Sequence, residues 1–375
     1  MAKEKFDVVI VGGGISGIVA ALKIDKSLKV LILEKNKRIL QKMLATGNGK
    51  CNFSNRTLDE TFYNSPMVKS VLDQNKGFLQ EIEEWGVIFT DIQGRIYPKS
   101  ETASGLVNVF IATLQKNPNI IIKTDEEVLS VSSDEVKTQR GNYIFKKLVV
   151  AIGSNAGSKQ QGNKFSKFFK NYKFKSFSPS LVNIKCDMKY LKGLQGQRSK
   201  CRVQVFGNNK ILFEEIGEVI FKNDGLSGIP ILQASAYKAR GENIKIILNF
   251  VFDISKNKFE DIKNKNPLFD GILVKNLYTN MHTYALDNGI SDYEAASNFE
   301  ISEIHLGDMN DAQVAAGGLF LNQLNLETMA LKDNCNLYCV GEIVDVDGLC
   351  GGYNVTWAVV SALSAAKDIN KGLLR

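Results

Sequence analysis

The 375-residue chain contains no uninterrupted apolar run of ~18 residues or more, which excludes a conventional membrane-spanning helix. Its first apolar stretch carries Asp7 and runs straight into a glycine turn rather than a cleavage site, so it does not read as a secretory leader. Cysteine is sparse: Cys51, Cys186, Cys201, Cys335, Cys339 and Cys350 are scattered without a C-x-x-C pair. That excludes a zinc or redox-disulfide signature and fits a reducing compartment, so a cytoplasmic protein without a metal is expected. Histidine is scarcer still, with only His282 and His305, each expected to be structural or exposed. No Ser/His/Asp triad or metal-ligand cluster assembles around them. The net charge of +7 comes from lysines spread along the chain without a long basic run. A solvated surface is expected from this, with no nucleic-acid and no membrane partner. The oligomeric state is not legible.

With 44% hydrophobic residues the chain can bury a sizeable core. Single cores stop growing near about 250–300 residues, so two or three domains are expected. The most informative stretch is Phe6 to Lys35. Phe6–Val11 reads as a buried strand, Gly12-Gly13-Gly14-Ile15-Ser16-Gly17 as a turn, Ile18–Ile24 as a helix and Val30–Leu33 as a second strand ending at Glu34. In such a unit Gly12 permits the turn, Gly14 admits a pyrophosphate to the backbone, and Gly17 lets helix and strand approach. A carboxylate at Glu34 is placed to accept from a ribose 2′-OH and would repel a 2′-phosphate. Dinucleotide binding follows from the combination, although the unit does not say which dinucleotide.

After Glu34, a basic segment beginning with Lys35 leads to Thr46-Gly47-Asn48-Gly49-Lys50-Cys51-Asn52. Lys42 and Lys50 are candidates to neutralise the pyrophosphate, and Thr46, Gly47, Gly49, Cys51 and Asn52 to face a ring system; a basic surface loop is the plain alternative. Pro66–Trp85 has helical periodicity and Val87–Phe89 and Arg95–Tyr97 flank a turn, so a two-helix and hairpin insertion is expected. Thr102–Leu114 reads as a helix. Strand-like segments beginning at Ile120, Val128 and Tyr143 lead to a buried strand ending at Ala151-Ile152-Gly153, a second small-residue turn but not a second dinucleotide fingerprint. Val128, Ala151 and Gly153 are counted with the cofactor residues.

From Ser180 alternating apolar runs suggest an antiparallel sheet or barrel, interrupted by a charged helical stretch from Ile254 to Asn298. The chain then returns to a strand, Asn336–Val340, which ends at Gly341-Glu342 and is followed by Asp347, Gly351-Gly352-Tyr353-Asn354 and an apolar helix. A carboxylate after a strand suits ribityl hydroxyls. Two glycines at a helix N-terminus let backbone N–H groups and the helix dipole meet the flavin N1–C2=O edge, where negative charge collects on reduction. The plain alternative is a cap loop with Asn354 as the N-cap.

These residues resemble a known family, the BaiN-like or aminoacetone-oxidase-type FAD-binding flavoproteins, distant relatives of the fumarate-reductase and aspartate-oxidase flavoproteins. The likeness rests on the Gly12–Gly17 turn with Glu34, on Thr46–Asn52, on Gly94-Arg95-Ile96-Tyr97-Pro98, on Gly217–Phe221 with Gly225–Gly228, and on Gly341–Asn354. Two segments depart from the pattern: Ala151-Ile152-Gly153-Ser154 stands for the usual Ala-Thr-Gly-Gly, and Gly47-Asn48-Gly49-Lys50 for Gly-Gly-Gly-Arg. The second keeps the charge but loses the guanidinium fork.

The resemblance implies an α/β fold: a Rossmann-like FAD-binding domain at 1–180 and 310–375, an inserted β-barrel domain at 181–253 and 299–309, and a helical insertion at 254–298. It implies an FAD-dependent oxidoreductase moving a hydride between flavin N5 and a small organic substrate near the domain junction, by amine oxidation or double-bond reduction. NAD(P)H would dock transiently as donor. Tyr353 is the candidate acid or orienting group, with Cys51 and Asn52 beside the reacting centre. Two other readings stand beside this one, a flavin-binding sensor without turnover and an RNA-modifying flavoenzyme.

Overall fold

A computed structural model of the chain describes residues 3–157, 171–266 and 271–374. The chain falls into two compact units, Met1–Phe177 with Val314–Arg375, and Ser178–Gln313. In the first, β1 (Glu4–Val11) and β2 (Val30–Leu33) are parallel neighbours with Val8 opposite Val30, and α1 (Ile15–Lys23) links them. Val8–Ile10 and Val30–Leu33 are almost wholly buried, as unbroken apolar runs covered on both faces must be. Next come a 3-10 stretch at Gln41–Gly49, β3 (Ser54–Asn55), α2 (Val68–Asp73), α3 (Phe78–Glu83), β4 (Phe89–Ile92) and β5 (Arg95–Pro98). The two helices expected over Pro66–Trp85 are present, both short. Buried Asn75 lies between them, donating its side-chain amide to the Val71 carbonyl (2.9 Å) and to Ser364 Oγ (2.8 Å). The three strands form a sheet in the order β3-β5-β4.

Thr102 caps α4 (Ala103–Gln115), its hydroxyl accepting from the Gly105 N–H. Then follow β6 (Ile120–Lys123), β7 (Val128–Val131), β8 (Glu135–Thr138), β9 (Asn142–Val150) and β10 (Phe174–Ser180). β8, which is mostly polar and lies antiparallel to β9, was not expected. The two strand segments expected around Tyr143 and Leu148 are one continuous β9.

The second unit contains β11 (Ile184–Lys185), β12 (Arg198–Gly207), β13 (Lys210–Phe221), β14 (Gly225–Ser227), α5 (Ile229–Ala239), β15 (Ile244–Asn249), α6 (Lys256–Lys265), α7 (Lys275–Asn288), α8 (Asp292–Ser297), β16 (Phe299–Ile301) and β17 (His305–Leu306). Its sheet runs β16-β15-β12-β13-β14-β11-β17, antiparallel at every ladder, as a path whose end strands are not paired with each other. Phe259, Leu277 and Met281 of the helical stretch share one core with Val203, Val219, Ile246 and Leu248 of the sheet. Residues 267–270 of that stretch lie outside the described residues.

The chain re-enters the first unit through β18 (Val314–Leu319), β19 (Ala330–Leu331), β20 (Asn334–Cys339) and α9 (Tyr353–Leu373). The main sheet has the order β19-β20-β9-β1-β2-β6, with β8 on β9 and β7 on β8. Strands β20, β9, β1, β2 and β6 are parallel, so the carboxyl ends of β1, β9 and β20 lie side by side. Open parallel sheets place ligands at such an edge, where strand order reverses about β1. No helix among the described residues is long and apolar enough to cross a membrane.

Candidate functional site

At the end of β1 the glycines do what their spacing predicts. A Cβ on Gly12, whose φ is +110°, would stand 2.3 Å from the Ala151 carbonyl oxygen, and one on Gly17 would stand 2.0 Å from the Gly12 carbonyl oxygen. Both therefore serve close packing of turn, strand and helix. Gly14 differs, because a Cβ there would meet no atom within 4 Å. Its open side is a cradle at the N-terminus of α1, which has neither a side-chain cap nor an acid in its first turn. The Ser16 hydroxyl packs where a Gly341 side chain would be (2.7 Å).

Glu34 is buried at 7% exposure. One oxygen accepts from the Gly13 N–H (2.7 Å), the other from the Asn36 N–H (2.8 Å) and side-chain amide (2.7 Å). A carboxylate offers about four acceptor sites, so these three bonds leave capacity for a ribose hydroxyl. Lys35 is exposed and Val128 is buried at the start of β7.

Lys42 crosses to the C-terminal segment, where its ammonium pairs with Glu342 at 2.7 Å; the other Glu342 oxygen accepts from the Ala315 N–H (3.0 Å). A Cβ on Gly153 would stand 3.9 Å from Glu342, so the turns after β9 and β20 meet here. Lys50 does not join them. It pairs at 3.0 Å with Glu101, and both side chains are largely exposed. Thr46, Gly47 and Gly49 belong to the 3-10 stretch, where the Thr46 hydroxyl donates to the Met43 carbonyl and the Thr46 carbonyl accepts from the Cys51 N–H. The Cys51 side chain is fully buried, and burial pushes its thiol up to about 11 despite a hydrogen bond with Thr46. It therefore stays protonated, which removes it as a nucleophile or base.

The Gly351-Gly352 turn is fixed by its neighbours. Asn354 is not the N-cap: its carbonyl accepts from the Gly348 N–H (2.9 Å) and its amide donates to the Gly348 carbonyl (2.8 Å), closing the loop before α9. Tyr353 is 4% exposed, its ring stacked on Phe62 at 4.6 Å and 10° and set edge-on to Tyr63. Burial pushes its phenol up to about 12, although Arg95 nearby works the other way. Held as a buried brace between Phe62 and Tyr63, the ring has a geometry that favours a positioning part over the expected acid. The sequence reading missed the brace's partners. Tyr63 donates its hydroxyl to the Tyr353 carbonyl (3.0 Å), and Asn64 binds the loop at Asp345 and at the backbone of Asp347. Asp347 itself is buried. The consecutive aromatics Phe62-Tyr63 followed by Asn64 were the available signal.

FAD fits this edge. Helix α9, like α1, begins without a side-chain cap or first-turn acid, so both present free N–H groups and positive potential. Asn52 Oδ1 and Asn155 Oδ1 are buried acceptors without a donor among the described residues. Leaving such an atom unsatisfied costs about 1–3 kcal/mol, a cost that a ligand donor would relieve.

Comparison with known proteins agrees. A 3-dehydro-bile acid delta(4,6)-reductase of Clostridium scindens is 26% identical, the match covering 96% of this chain and 97% of that protein. A ribosomal RNA dihydrouridine synthase of Escherichia coli K12 is also 26% identical, covering 98% of each chain. A quinol-fumarate reductase solved with menaquinol molecules superposes with a TM-score of 0.53 at 11% identity, covering 99% of this chain and 72% of that one, which shows a shared fold. The family described as the HI0933-like protein Rossmann domain matches residues 6–368. The chain therefore belongs to the HI0933-like family of FAD-binding Rossmann proteins and is an FAD-dependent oxidoreductase.

Proposed function

We propose that the protein reduces a carbon–carbon double bond conjugated to a carbonyl in a small organic substrate, with a reduced nicotinamide dinucleotide as donor. The observation that carries this reading is chemical. The bile-acid relative is named for reducing a 4,6-diene, and the dihydrouridine relative for a product in which the 5,6-bond beside a carbonyl is saturated. One functional group unites the two names. In the net reaction a hydride adds to the carbon β to the carbonyl and a proton to the α carbon, while the donor's dihydropyridine becomes a pyridinium.

FAD, when bound, supplies the two-electron hydride carrier between donor and substrate. This chain's residues would hold it at the edge described. Gly14 and the first turn of α1 would take the pyrophosphate, Glu34 the adenosine ribose, Glu342 with Lys42 the ribityl region, and Gly351-Gly352 with the first turn of α9 the ring. The Tyr63, Asn64, Tyr353 and Asn354 contacts would keep that last turn rigid. No second dinucleotide fingerprint occurs in the sequence, so the donor would dock transiently.

The name of the Escherichia coli relative and the net charge of +7 favour a second reading in which the double bond belongs to a uridine in RNA. Holoprotein turned over anaerobically with NADH or NADPH separates them, using a 3-oxo-4,6-diene steroid acid, cyclohex-2-en-1-one and a uridine-containing RNA fragment as acceptors. Saturated ketone products support the first reading. Product from RNA alone, with salt-sensitive binding, supports the second. Reduction by amines and reoxidation by oxygen alone would reject both.

A further inference from the structure

Resting on the reductase reading, the structure assigns a further role on the hairpin that neither the cofactor contacts nor the brace uses. In the β3–β5 ladder Asn55 stands directly opposite Arg95. Directly opposed residues of an antiparallel pair project from the same face, so the Arg95 side chain leaves the sheet beside that of Asn55. Asn55 points to the ring-side turn, donating its side-chain amide to the Gly351 carbonyl at 3.1 Å. The Arg95 charge is felt at the hydroxyl of Tyr353, the next residue but one, where Asp59 acts in the opposite sense.

Arg95 is half-buried, and among the described residues its guanidinium has no carboxylate in ion-pair range and no hydrogen-bond acceptor. Its neighbour on the hairpin shows the contrast. Arg56 is 70% exposed in its side chain, yet pairs with Asp91 at 2.6 Å. A guanidinium without a protein partner has donors to offer a ligand oxygen carrying negative charge.

We propose that Arg95 receives the carbonyl oxygen of the conjugated substrate and stabilises the enolate that forms as the bond is reduced. When the hydride pair makes the new C–H bond at the β carbon, the π pair of the double bond shifts towards the α carbon and the carbonyl π pair moves onto oxygen. A proton taken from solvent water then adds to the α carbon and restores the carbonyl. The charge on that oxygen is greatest between the two events, where a guanidinium donating to it stabilises it most. The substrate class is thereby a conjugated ketone or a vinylogous equivalent such as a uracil ring. An isolated alkene is outside it.

The test compares wild-type holoprotein with Arg95→Gln and Arg95→Lys in three measurements: FAD occupancy, binding of 4-chlorophenolate, and turnover of cyclohex-2-en-1-one. 4-Chlorophenolate is an anion whose complex with oxidised flavin is read by charge-transfer absorbance. Arg95→Gln should keep full FAD and an undiminished thermal midpoint, bind the phenolate about tenfold more weakly or worse, and lower kcat about 100-fold, with partial rescue by Arg95→Lys. Unchanged phenolate binding and turnover in Arg95→Gln would overturn the proposal while leaving the reductase reading intact. Loss of FAD in Arg95→Gln would also overturn it, by assigning the arginine to the cofactor. If wild type reduces no conjugated ketone, the reductase reading fails by itself. The phenolate arm then decides whether Arg95 is the anion-receiving group, weakened binding supporting it and unchanged binding overturning it.

Discussion

The backbone of Ser54 fills the space that a side chain on Gly352 would need. A Cβ there would stand 2.6 Å from the Ser54 carbonyl oxygen and 2.7 Å from its Cα, at a φ of +91°. The turn is glycine because another strand lies against it, whatever ligand it also faces. Gly352→Val should therefore destabilise the protein even without FAD, by at least about 3 kcal/mol from left-handed strain and overpacking. Thermal unfolding of the apoprotein checks this, and an unchanged midpoint would mean that β3 and the turn are not in contact.

Gly14 offers the opposite case. Its φ of −75° suits any residue and its Cβ position is open. Gly14→Ala should leave the apoprotein's unfolding unchanged but weaken FAD binding tenfold or more, about 1.4 kcal/mol, by occupying the pyrophosphate approach. Titration of apoprotein with FAD reads the loss; equal affinity would place the pyrophosphate elsewhere.

Glu34 joins fold and ligand. Glu34→Gln keeps one acceptor oxygen where three donors now converge on two. The apoprotein should lose about 1.5–3 kcal/mol and the FAD affinity should fall as well. Chromatography of the flavin released from wild type should give FAD rather than FMN, which has no adenosine ribose for this carboxylate. FMN alone would contradict the assignment.

In the second unit Asp292 gathers Lys263 (2.6 Å) and His282 (2.8 Å) about a carboxylate that is 4% exposed. Burial alone would raise its pKa, but the hydrogen bonds and charges of Lys263 and His282 hold it below the ordinary value. Because the folded value lies below the unfolded one, the stabilisation is complete above the unfolded value near 3.9. It disappears as pH falls through the folded value. Asp292→Asn should cost about 1–3 kcal/mol at neutral pH, discounted for the partly exposed partners, and the gap from wild type should close in acid. Unfolding midpoints measured from pH 7 to pH 2 decide it, and a gap that does not change would contradict it.

The strands and turns at the sheet's ligand edge were legible because close packing and phosphate approach demand glycine at fixed spacing, as at Gly12, Gly14 and Gly17. Continuous apolar runs gave β1, β2 and the end of β9 for a similar reason. Polar β8 was invisible because only Val136 is a buried apolar residue in it, and its strand form rests largely on pairing with β7 and β9. Helix α5 was hidden inside a stretch read as sheet, where buried Ile231, Ala234 and Ala236 gave too few periodic positions. At the candidate site, residue types were readable but directions were not. Tyr353 turns into the protein against Phe62 and Lys50 outward to Glu101, each by a contact made across long sequence distance, while Asn354 closes locally onto Gly348.

The most direct measurement is a single turnover of holoprotein reduced anaerobically with one equivalent of dithionite and mixed with one equivalent of a 3-oxo-4,6-diene steroid acid. The oxidised flavin spectrum should return and the ketone should gain two hydrogens, in equal amounts. A flavin that stays reduced beside unchanged dienone, and beside cyclohex-2-en-1-one and the uridine-containing RNA in parallel mixes, would contradict the reductase reading.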